Sequence, residues 1–444
     1  MNMKFKYFNL HSSYKYFQLI FFVFLCTCAT AQSSRTNSTI LLIRNVNVVD
    51  VLNGEILANQ DVAVKNKLIY FIGNSFTEKV PTNSVTIDGN GKYLCPGLWD
   101  MHFHLCWDKN NDTLLFPVLL KNGITGIRDM GGDLNIMRSF KQKLSESKII
   151  GPEIFAAGPM IDGNPPVHPD FSMPVDDKTN LTAALDSLKN NKVDFLKVYS
   201  LIKETQLRGV SNYCTNNNIH FAGHLSEYIE PEISISLGQK SIEHLNRLDD
   251  IWNTNKIRLD SIGNLMLANN TFLCPTLITY KLKTQLRDTS IINNDYSQYI
   301  PASLMEEWQI TWGKRVTKHT EIADWQGLDE TFKSQLQLVK HLNKMGVLIL
   351  AGSDFAGFPY VYPGVSLHQE LHLLVEAGLS NSEALKSATI NPAIYMSHQK
   401  LYGSLTVGKY ADMLILDKNP FDDIDNLKAI NCIIIKGEIL NNKK

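Results

Sequence analysis

Eight short apolar stretches recur between residues 96 and 397, and longer segments of helical character separate them. Short apolar runs that alternate with helices are typical of parallel strands joined by crossover helices. Eight such units in about 300 residues predict an α/β fold, a (β/α)8 TIM barrel, whose functional residues lie at the carboxyl ends of the strands. The stretches are GLWDMHFH, ITGIRDM, EIFAAG, DFLKVYS, IHFAGH, KSIEH, TFLCPTL and VLILAGSD.

Metal-ligating side chains lie at or near the carboxyl ends of five of these stretches. His102 and His104 point to the same face, because alternate side chains of a strand share a face. This pair alone is weak evidence, since paired histidines also serve as ordinary hydrogen-bonded residues. Four imidazoles and a carboxylate on neighbouring strand ends predict a centre for zinc or a similar divalent ion. The candidate ligands are His102, His104, Lys197, His224, His244 and Asp354.

Lys197 is the unusual member of this set, because it lies inside the apolar segment DFLKVY. Burial disfavours the charged form of an amine. A neutral lysine amine reacts with carbon dioxide to give a carbamate, an anionic ligand that can bridge two metal ions. Lys197 therefore predicts a binuclear centre.

These motifs resemble the amidohydrolase superfamily, and within it the imidazolonepropionase-like, metal-dependent amidohydrolase group. The segments PGLWDMHFHL, GITGIRDMGG, VDFLKVYS, FAGHLSE, QKSIEHL and LAGSDF follow one another in the order of that family. The resemblance implies two divalent ions, with zinc as the expected metal. It assigns His102, His104 and Asp354 to the more buried ion, His224 and His244 to the more exposed ion, and a carboxylated Lys197 to the bridge between them.

The reaction implied is hydrolysis of a C–N bond in an amide, a cyclic amide or a dipeptide-like small substrate. Two cations that share a water lower its pKa to near neutrality and so supply hydroxide without a strong base. Asp354 is expected to take the proton of that water and to deliver it to the leaving nitrogen.

Two alternatives remain open. Glu227 in the segment HLSE matches the His-x-x-Glu pattern of mononuclear zinc deaminases of the same superfamily, in which the glutamate carries protons. Lys197 argues against that assignment, because such deaminases do not need a lysine on the fourth strand. A binding protein that had lost its chemistry would be expected to lack ligands, and none is missing.

The two ends of the chain carry a different pattern from the middle. Residues 32–95 alternate apolar and polar positions around the tight-turn pair Asn53-Gly54, and residues 398–444 repeat this style. Neither end is long enough to bury a core alone. We therefore expect one small β-sandwich domain built from both termini, flanking a barrel of residues 96–397.

Residues 1–31 have the pattern of a signal peptide. Three lysines precede the apolar run LIFFVFLCTC, and Ala29-Thr30-Ala31 offers the small-x-small pattern of a cleavage site. No later segment approaches about 18 consecutive apolar residues, so no integral membrane segment is expected after cleavage. We expect a soluble exported protein, periplasmic or extracellular. Lipid attachment at Cys28 fits less well, because the preceding residues match a lipobox poorly.

Charge limits the partners that the chain is expected to bind, and cysteine content limits its disulfides. The formal charge of −1 becomes more negative when the three leader lysines are removed, so a nucleic-acid partner is not expected. The five cysteines that remain after leader cleavage are scattered, odd in number and without a C-x-x-C pair, which predicts mostly buried free thiols, although one disulfide stays open. These cysteines are Cys95, Cys106, Cys214, Cys274 and Cys432. The oligomeric state stays open.

Substrate selection is expected to come from the loops that follow the strands. The loop GPMIDGNPPVHPDFSMP after the third stretch is long and stiffened by prolines. The segment from Thr279 to about Leu342 is too long for a simple crossover. Its residues Leu304, Trp308 and Trp312 lie at helical spacing, which favours packing of a helical insert over a substrate-stacking surface. The candidates for substrate contact are Arg128, His168, Tyr199 and Tyr228.

Overall fold

The computed structural model describes residues 39–292, 294–319 and 321–440, and the predicted signal peptide lies outside them. The strands are β1 (Ile40–Asp50), β2 (Glu55–Lys65), β3 (Leu68–Gly73), β4 (Val85–Asp88), β5 (Tyr93–Pro96), β6 (Leu98–Phe103), β7 (Ile124–Asp129), β8 (Glu153–Ala156), β9 (Met160–Asp162), β10 (Ser172–Pro174), β11 (Leu196–Val198), β12 (Phe221–Gly223), β13 (Gln239–Glu243), β14 (Phe272–Cys274), β15 (Met413–Leu416), β16 (Ile430–Ile435) and β17 (Glu438–Ile439). The α-helices are α1 (Asn111–Lys121), α2 (Leu134–Ser145), α3 (Leu181–Asn190), α4 (Glu204–Asn217), α5 (Pro231–Ser236), α6 (Leu248–Thr254), α7 (Lys256–Ala268), α8 (Leu277–Thr284), α9 (Ala302–Val316), α10 (Ile322–Met345), α11 (Val365–Glu376), α12 (Asn381–Ser387) and α13 (Ile390–Tyr395). Short 3-10 helices cover Leu105–Trp107, Pro169–Phe171, Asp295–Tyr299 and Ile424–Lys428.

The middle of the chain forms a curled parallel sheet with helices between its strands. Strands β6, β7 and β8 pair in that order, and β9, β11, β12, β13 and β14 pair in theirs. A backbone hydrogen bond of 2.8 Å from Asp194 to Ala156 connects the two groups. Every residue of β6 and β7 is buried, as expected for parallel strands that are covered on both faces.

The eighth apolar stretch is less regular than predicted. It forms isolated parallel bridges, from Leu273 to Ile349 and from Phe103 to Phe355, instead of a continuous strand. Other groups satisfy part of its backbone: the amide of Ala351 donates to Ser387, and the amide of Ser353 donates to the Asp100 carboxylate. These bonds interrupt the ladder, yet the bridges still join β14 to β6.

The third stretch also departs from the prediction of one strand and one loop. It breaks after β8, where Gly158 has a φ of +67°, and resumes as β9. The proline-rich loop then contributes β10, which pairs in parallel with β9. The loop therefore adds two short strands to the sheet, β9 near its start and β10 at its end.

Strands from both termini form one eight-stranded sheet in the order β17-β16-β15-β5-β1-β2-β3, with β4 on β1. Carboxy-terminal β15 pairs antiparallel with β5, from Met413 opposite Pro96 to Leu416 opposite Tyr93. Because β6 begins two residues after β5 ends, this sheet directly supports the first strand of the parallel sheet.

The long insert consists of α8, the 3-10 turn at Asp295–Tyr299, α9 and α10. Trp308 and Trp312 of α9 are buried, and both contact the ring of Tyr360 edge-on, at centroid distances of 5.7 and 4.9 Å. The prediction that this aromatic stripe packs the insert onto the rest of the protein is confirmed for Trp312, whereas Trp308 both packs on Tyr360 and lines a cavity, as does Leu304.

All five cysteines of the described residues are free thiols, and only Cys432 among them is not fully buried. Within the same part of the chain, every helix falls short of the length and apolar character that a bilayer crossing requires.

Candidate metal centre

The six predicted ligands come from the carboxyl ends of neighbouring parallel strands. All six side chains are buried. His244 and Asp354 adopt φ angles of +67° and +64°, which residues other than glycine rarely use and which are typical of functional sites. The positions are His102 on β6, His104 just after it, Lys197 on β11, His224 after β12, His244 after β13 and Asp354 in the eighth stretch.

The structure brings these side chains together. The Nε2 atoms of His102 and His104 lie 3.4 and 3.5 Å from Oδ1 of Asp354. Ligand atoms of His102, His244 and Asp354 all lie within 4.8 Å of one another. The ring centroids of His224 and His244 are 4.7 Å apart. Donors that are far apart in the sequence therefore converge at one place.

Gly223 explains how His224 reaches this position. Its φ is +145°, and a Cβ atom there would lie 2.0 Å from the carbonyl oxygen of Val198 on the neighbouring strand. Only glycine permits such close strand contact immediately before the histidine.

Each imidazole is held through its Nδ1 atom by another part of the protein. This arrangement fixes the ring orientation and leaves Nε2 as the nitrogen able to bind a metal. The Nδ1 contacts are His102 to Glu243 Oε2 (2.9 Å), His104 to the Gly131 carbonyl (3.0 Å), His224 to Ser200 Oγ (3.0 Å) and His244 to Thr276 Oγ1 (2.6 Å).

Glu243 is a functional residue that the sequence analysis missed. Its carboxylate accepts from His102 and from Nη2 of Arg128 at 2.8 Å, and it also bonds Ser241. Arg128 is completely buried, and its Nε donates to the Met101 carbonyl at 2.6 Å. The predicted substrate contact of Arg128 is therefore wrong, because the guanidinium is enclosed beneath the centre and positions Glu243.

Asp100 is a second residue that the sequence analysis did not include. It accepts from the amide and hydroxyl of Ser353 at 2.9 and 2.6 Å, and so ties the backbone before Asp354 to β6. Burial raises the pKa of Asp100 to about 7, although the Ser353 hydrogen bonds oppose this shift. The sequence did contain a signal for Asp100, because Asp100 and His102 are alternate residues of one strand and therefore share a face.

Burial and mutual repulsion shape the charge state of the centre. Burial, followed by the charge of Lys197, holds the pKa values of His102 and His224 well below the usual value. Burial lowers the pKa of His244 to about 4. Burial alone would raise the pKa of Asp354, but the neighbouring histidines, His102 first, lower it further than burial raises it. Neutral imidazoles and an ionised carboxylate are the forms that bind metal ions.

Lys197 has an unsatisfied amine. Its Nζ is buried and has no hydrogen-bond partner among the described residues. Burial lowers the pKa of this amine to about 8. An unpaired amine in such surroundings is costly, which is consistent with a group that gains a ligand or a modification. The donor set and this orphaned amine therefore fit a metal centre.

Two of the predicted substrate contacts lie beside the centre. His168 Nε2 lies 3.2 Å from the Tyr199 hydroxyl, and the Tyr199 ring lies 4.0 Å from that of His224. His168 also lines a cavity of about 320 Å³, together with Trp107 and Trp308. The Trp107 ring lies 4.5 Å from the ring of His104, so this cavity adjoins the centre.

Tyr228 and Glu227 do not join this group. The Tyr228 side chain is 62% exposed and lines a different cavity, next to Asn164 and Lys203, so its substrate contact stays a prediction. Glu227 is also exposed, and its side chain makes no hydrogen bond or ion pair with another described residue. This location does not favour the role of proton carrier that the deaminase alternative requires.

Comparisons with known proteins agree with this geometry. The amidohydrolase family model matches residues 93–440. A Bos taurus protein named "Probable imidazolonepropionase" is 22% identical over 395 residues, with 84% of this chain and 86% of that protein covered. An ochratoxinase of Aspergillus niger is 22% identical over 435 residues, with 84% of this chain and 80% of that protein covered. A crystal structure of an Xaa-Pro dipeptidase with methionine bound in its active site has a TM-score of 0.70 at 20% identity. The similarity covers 91% of this chain and 100% of the dipeptidase chain.

The family match spans most of the chain and includes all six residues of the candidate centre. The structural similarity covers nearly the same extent and shows a shared fold. The protein therefore belongs to the amidohydrolase family and is a hydrolase.

Proposed function

We propose that this protein hydrolyses a C–N bond of a small substrate, in an amide, a cyclic amide or a dipeptide-like molecule, with two divalent metal ions as cofactors. The observation that carries the proposal is the grouping of four buried imidazoles and a buried carboxylate, with the buried amine of Lys197 close enough for its charge to act on two of the imidazoles. The relatives named as an imidazolonepropionase, an ochratoxinase and an Xaa-Pro dipeptidase support this class of reaction. The ligands would be His102, His104, Lys197, His224, His244 and Asp354, and zinc is the expected metal.

When bound, the ions supply a polarised substrate carbonyl and a water of lowered pKa. The protein's own part is to hold the imidazoles and to move a proton. Asp354 is the proposed proton carrier, which accepts a proton on a carboxylate oxygen and then donates it to the leaving nitrogen. Its backbone amide donates to the His102 carbonyl at 2.7 Å, so the carboxylate is presented from a fixed position.

We further propose that Lys197 is carboxylated in the active protein. Its neutral amine would attack carbon dioxide, a new N–C bond would form, and the nitrogen would release one proton to solvent. The orphaned, buried Nζ supports this step, because the carbamate oxygens would gain partners that the amine lacks.

The finer description of the fold is also a proposal. We propose that the curled sheet, joined through the eighth stretch, is a closed (β/α)8 barrel with a small β-sandwich built from both termini. The bridges from β14 to Ile349 and from Phe355 to β6 support closure. In such a barrel the six ligands would lie together at the carboxyl face.

Metal content per chain tests the proposed function. The protein lacking residues 1–31 would be purified with bicarbonate and without chelators, and its metals measured by elemental analysis. We expect about two ions per chain in the wild type and at most one in Lys197→Ala. Lys240→Ala is the matched control, because Lys240 lies at the start of β13 with its Nζ 5.1 Å from the Tyr395 ring centroid, and burial also lowers the pKa of its amine to about 8.

Hydrolysis of a panel of N-acyl amino acids, dipeptides and cyclic amides completes the test. A single ion whose binding is unaffected by Lys197→Ala would contradict the binuclear proposal. Loss of activity in Glu227→Gln with retention in Lys197→Ala would replace it with deamination. Failure of every substrate class in the fully loaded protein would point to a binding protein instead.

A further inference from the structure

Two basic side chains of the insert lie against one aromatic ring close to the candidate centre. Lys283 is on α8 and Arg315 is on α9, and neither is fully exposed. The Nζ of Lys283 lies 5.9 Å from the centroid of the Phe358 ring, and the Cζ of Arg315 lies 4.6 Å from the same centroid. The structure therefore places both cations near one buried phenyl ring, and Lys283 also lies 4.4 Å from the centroid of the Tyr280 ring.

Neither cation forms a close ion pair in the described part of the chain, although the charge of Asp249 acts on Lys283 at longer range. No side-chain hydrogen bond or ion pair is formed by Lys283 or by Arg315 there, and Nε of Arg315 is fully buried without an acceptor. A guanidinium offers five donors, and its burial without acceptors is costly. Two unpartnered cations in contact with one ring are thus an arrangement that an anion would stabilise.

Arg315 faces the reaction site, and Lys283, which does not line the cavity, is close enough for its charge to act on His244 and Asp354. Arg315 lines the cavity of about 320 Å³, as do Ala356 and Gly357. A Cβ atom on Gly357 would lie 2.7 Å from Oδ1 of Asp354, so this wall of the cavity touches the proposed proton carrier. Burial, then the charge of Arg315, lowers the pKa of Lys283 to about 8, while the charges of Asp249 and then Asp354 oppose the shift.

We propose that Lys283 and Arg315 form a subsite for a carboxylate of the substrate, so that the substrate is an N-acylated amino acid or a dipeptide with a free carboxyl group. The inference rests on the proposed function and specifies its substrate class. Arginine suits this task because its planar fork matches a carboxylate. The rim carboxylates Asp108, Asp170 and Glu307 lie near solvent, where screening weakens their repulsion.

A matched pair of ligands tests the subsite. 3-Phenylpropionate and 3-phenylpropanamide have the same shape and differ in charge, and calorimetry on the metal-loaded protein measures both affinities. We expect the carboxylate to bind at least about 10-fold more tightly than the amide. Lys283→Gln and Arg315→Gln should each weaken carboxylate binding by about 10-fold and leave amide binding unchanged. Arg315→Lys, which keeps the charge without the fork, should retain part of the affinity.

Two lysines next to the pair serve as controls. Lys281→Gln on α8 removes a cation whose Nζ lies 5.3 Å from the Phe332 ring centroid, and Lys314→Gln removes an exposed cation of α9. Both variants should bind the two ligands like the wild type. The titrations are repeated on protein treated with a chelator, because metal ions also bind carboxylates. The preference for the carboxylate should persist there.

The outcomes separate this inference from the proposed function. Equal binding of the two ligands, or a preference that survives both substitutions, would overturn the subsite even if amides are hydrolysed. A preference that depends on Lys283 and Arg315 would support the subsite even in a protein that hydrolyses nothing. If hydrolysis is found, N-acetylphenylalanine should have a lower KM than its amide, and Arg315→Gln should abolish the difference.

Discussion

At the scale of single residues, the candidate centre depends on the atoms behind the ligands as much as on the ligands. Each Nδ1 contact comes from a different segment. Thr276 is distant in sequence from His244, which it contacts, and Glu243 is distant in sequence from both of its partners, His102 and Arg128. A strand pattern shows which residues share a face, but it does not show which residues touch across strands. This is why the sequence could indicate the six candidate ligands and could not indicate their supporting partners.

Thr276→Val tests the support of His244. The substitution keeps the side-chain shape and removes the hydroxyl that lies 2.6 Å from Nδ1. We expect metal affinity to fall by about 10- to 100-fold, with a loss of about 1 kcal/mol in the free energy of unfolding. Competition with a metal-sensitive dye measures the affinity.

Thr279→Val is the control for that variant. Its hydroxyl is also buried and donates to the Thr276 carbonyl at 3.0 Å, without contact to a histidine. It should cost similar stability and leave metal affinity unchanged. Equal affinity in Thr276→Val and the wild type would mean that the contact does not support metal binding.

At the scale of elements, the sequence predicted strand positions better than strand continuity. The segments that became β6 and β7 could be recognised because strands that are buried on both faces are rich in apolar residues, although Asp100, His102, Arg128 and Asp129 interrupt these two. The irregular eighth stretch could not, since its ladder is interrupted by bonds to the Asp100 side chain and to Ser387. Arg128 was misplaced for the same reason, because its partner Glu243 is 115 residues away in sequence.

Trp312→Ala tests whether α9 shapes the substrate cavity. Trp312 is buried against Tyr360 without lining the cavity, whereas Trp308 and Arg315 of the same helix line it. We expect a loss of about 3 kcal/mol in stability and a rise in KM that exceeds the fall in kcat. Ile310→Ala, at a side chain that is 52% exposed on the same helix, should change neither quantity. An unchanged KM in Trp312→Ala would show that packing of the helix and substrate binding are independent.

His368 on α11 gives a prediction of pH dependence. Its Nε2 hydrogen-bonds to the Asn122 carbonyl at 2.9 Å, and burial lowers its pKa to about 4. The unfolded chain has a histidine pKa of about 6.5 and so binds more protons than the native state between these values. Stability should therefore be fully present above about pH 6.5 and fall by at most about 3 kcal/mol as the pH drops to about 4.

His368→Gln should flatten this dependence, because glutamine can donate to the same carbonyl and does not titrate. Urea unfolding of the metal-free protein at several pH values measures the difference from the wild type. His372→Gln, at an exposed position of the same helix, should keep the wild-type slope. A slope shared by wild type and His368→Gln would assign the acid sensitivity to other groups.

At the scale of the whole molecule, the candidate centre collects its proposed ligands from segments that run from His102 to Asp354. A site of this kind does not exist in the unfolded chain, so a bound metal would stabilise the folded state alone. Removal of the metal with a chelator should lower Tm, and at a free metal concentration of about 1,000 times Kd the stabilisation is about 4 kcal/mol. Differential scanning calorimetry of the two forms measures the shift. An identical Tm with and without metal would contradict a metal centre at this place.

The terminal sheet sets the order in which the molecule can be completed. β15 lies between β16 and β5, and β5 leads within two residues into β6, which carries His102. A chain still attached to the ribosome cannot form the pairing between β15 and β5 until Met413–Leu416 has emerged. Until then, β5 is held in its sheet by the parallel pairing with β1 alone. A truncation before Met413 would leave the edge of β5 unpaired, and such an edge is a template for aggregation.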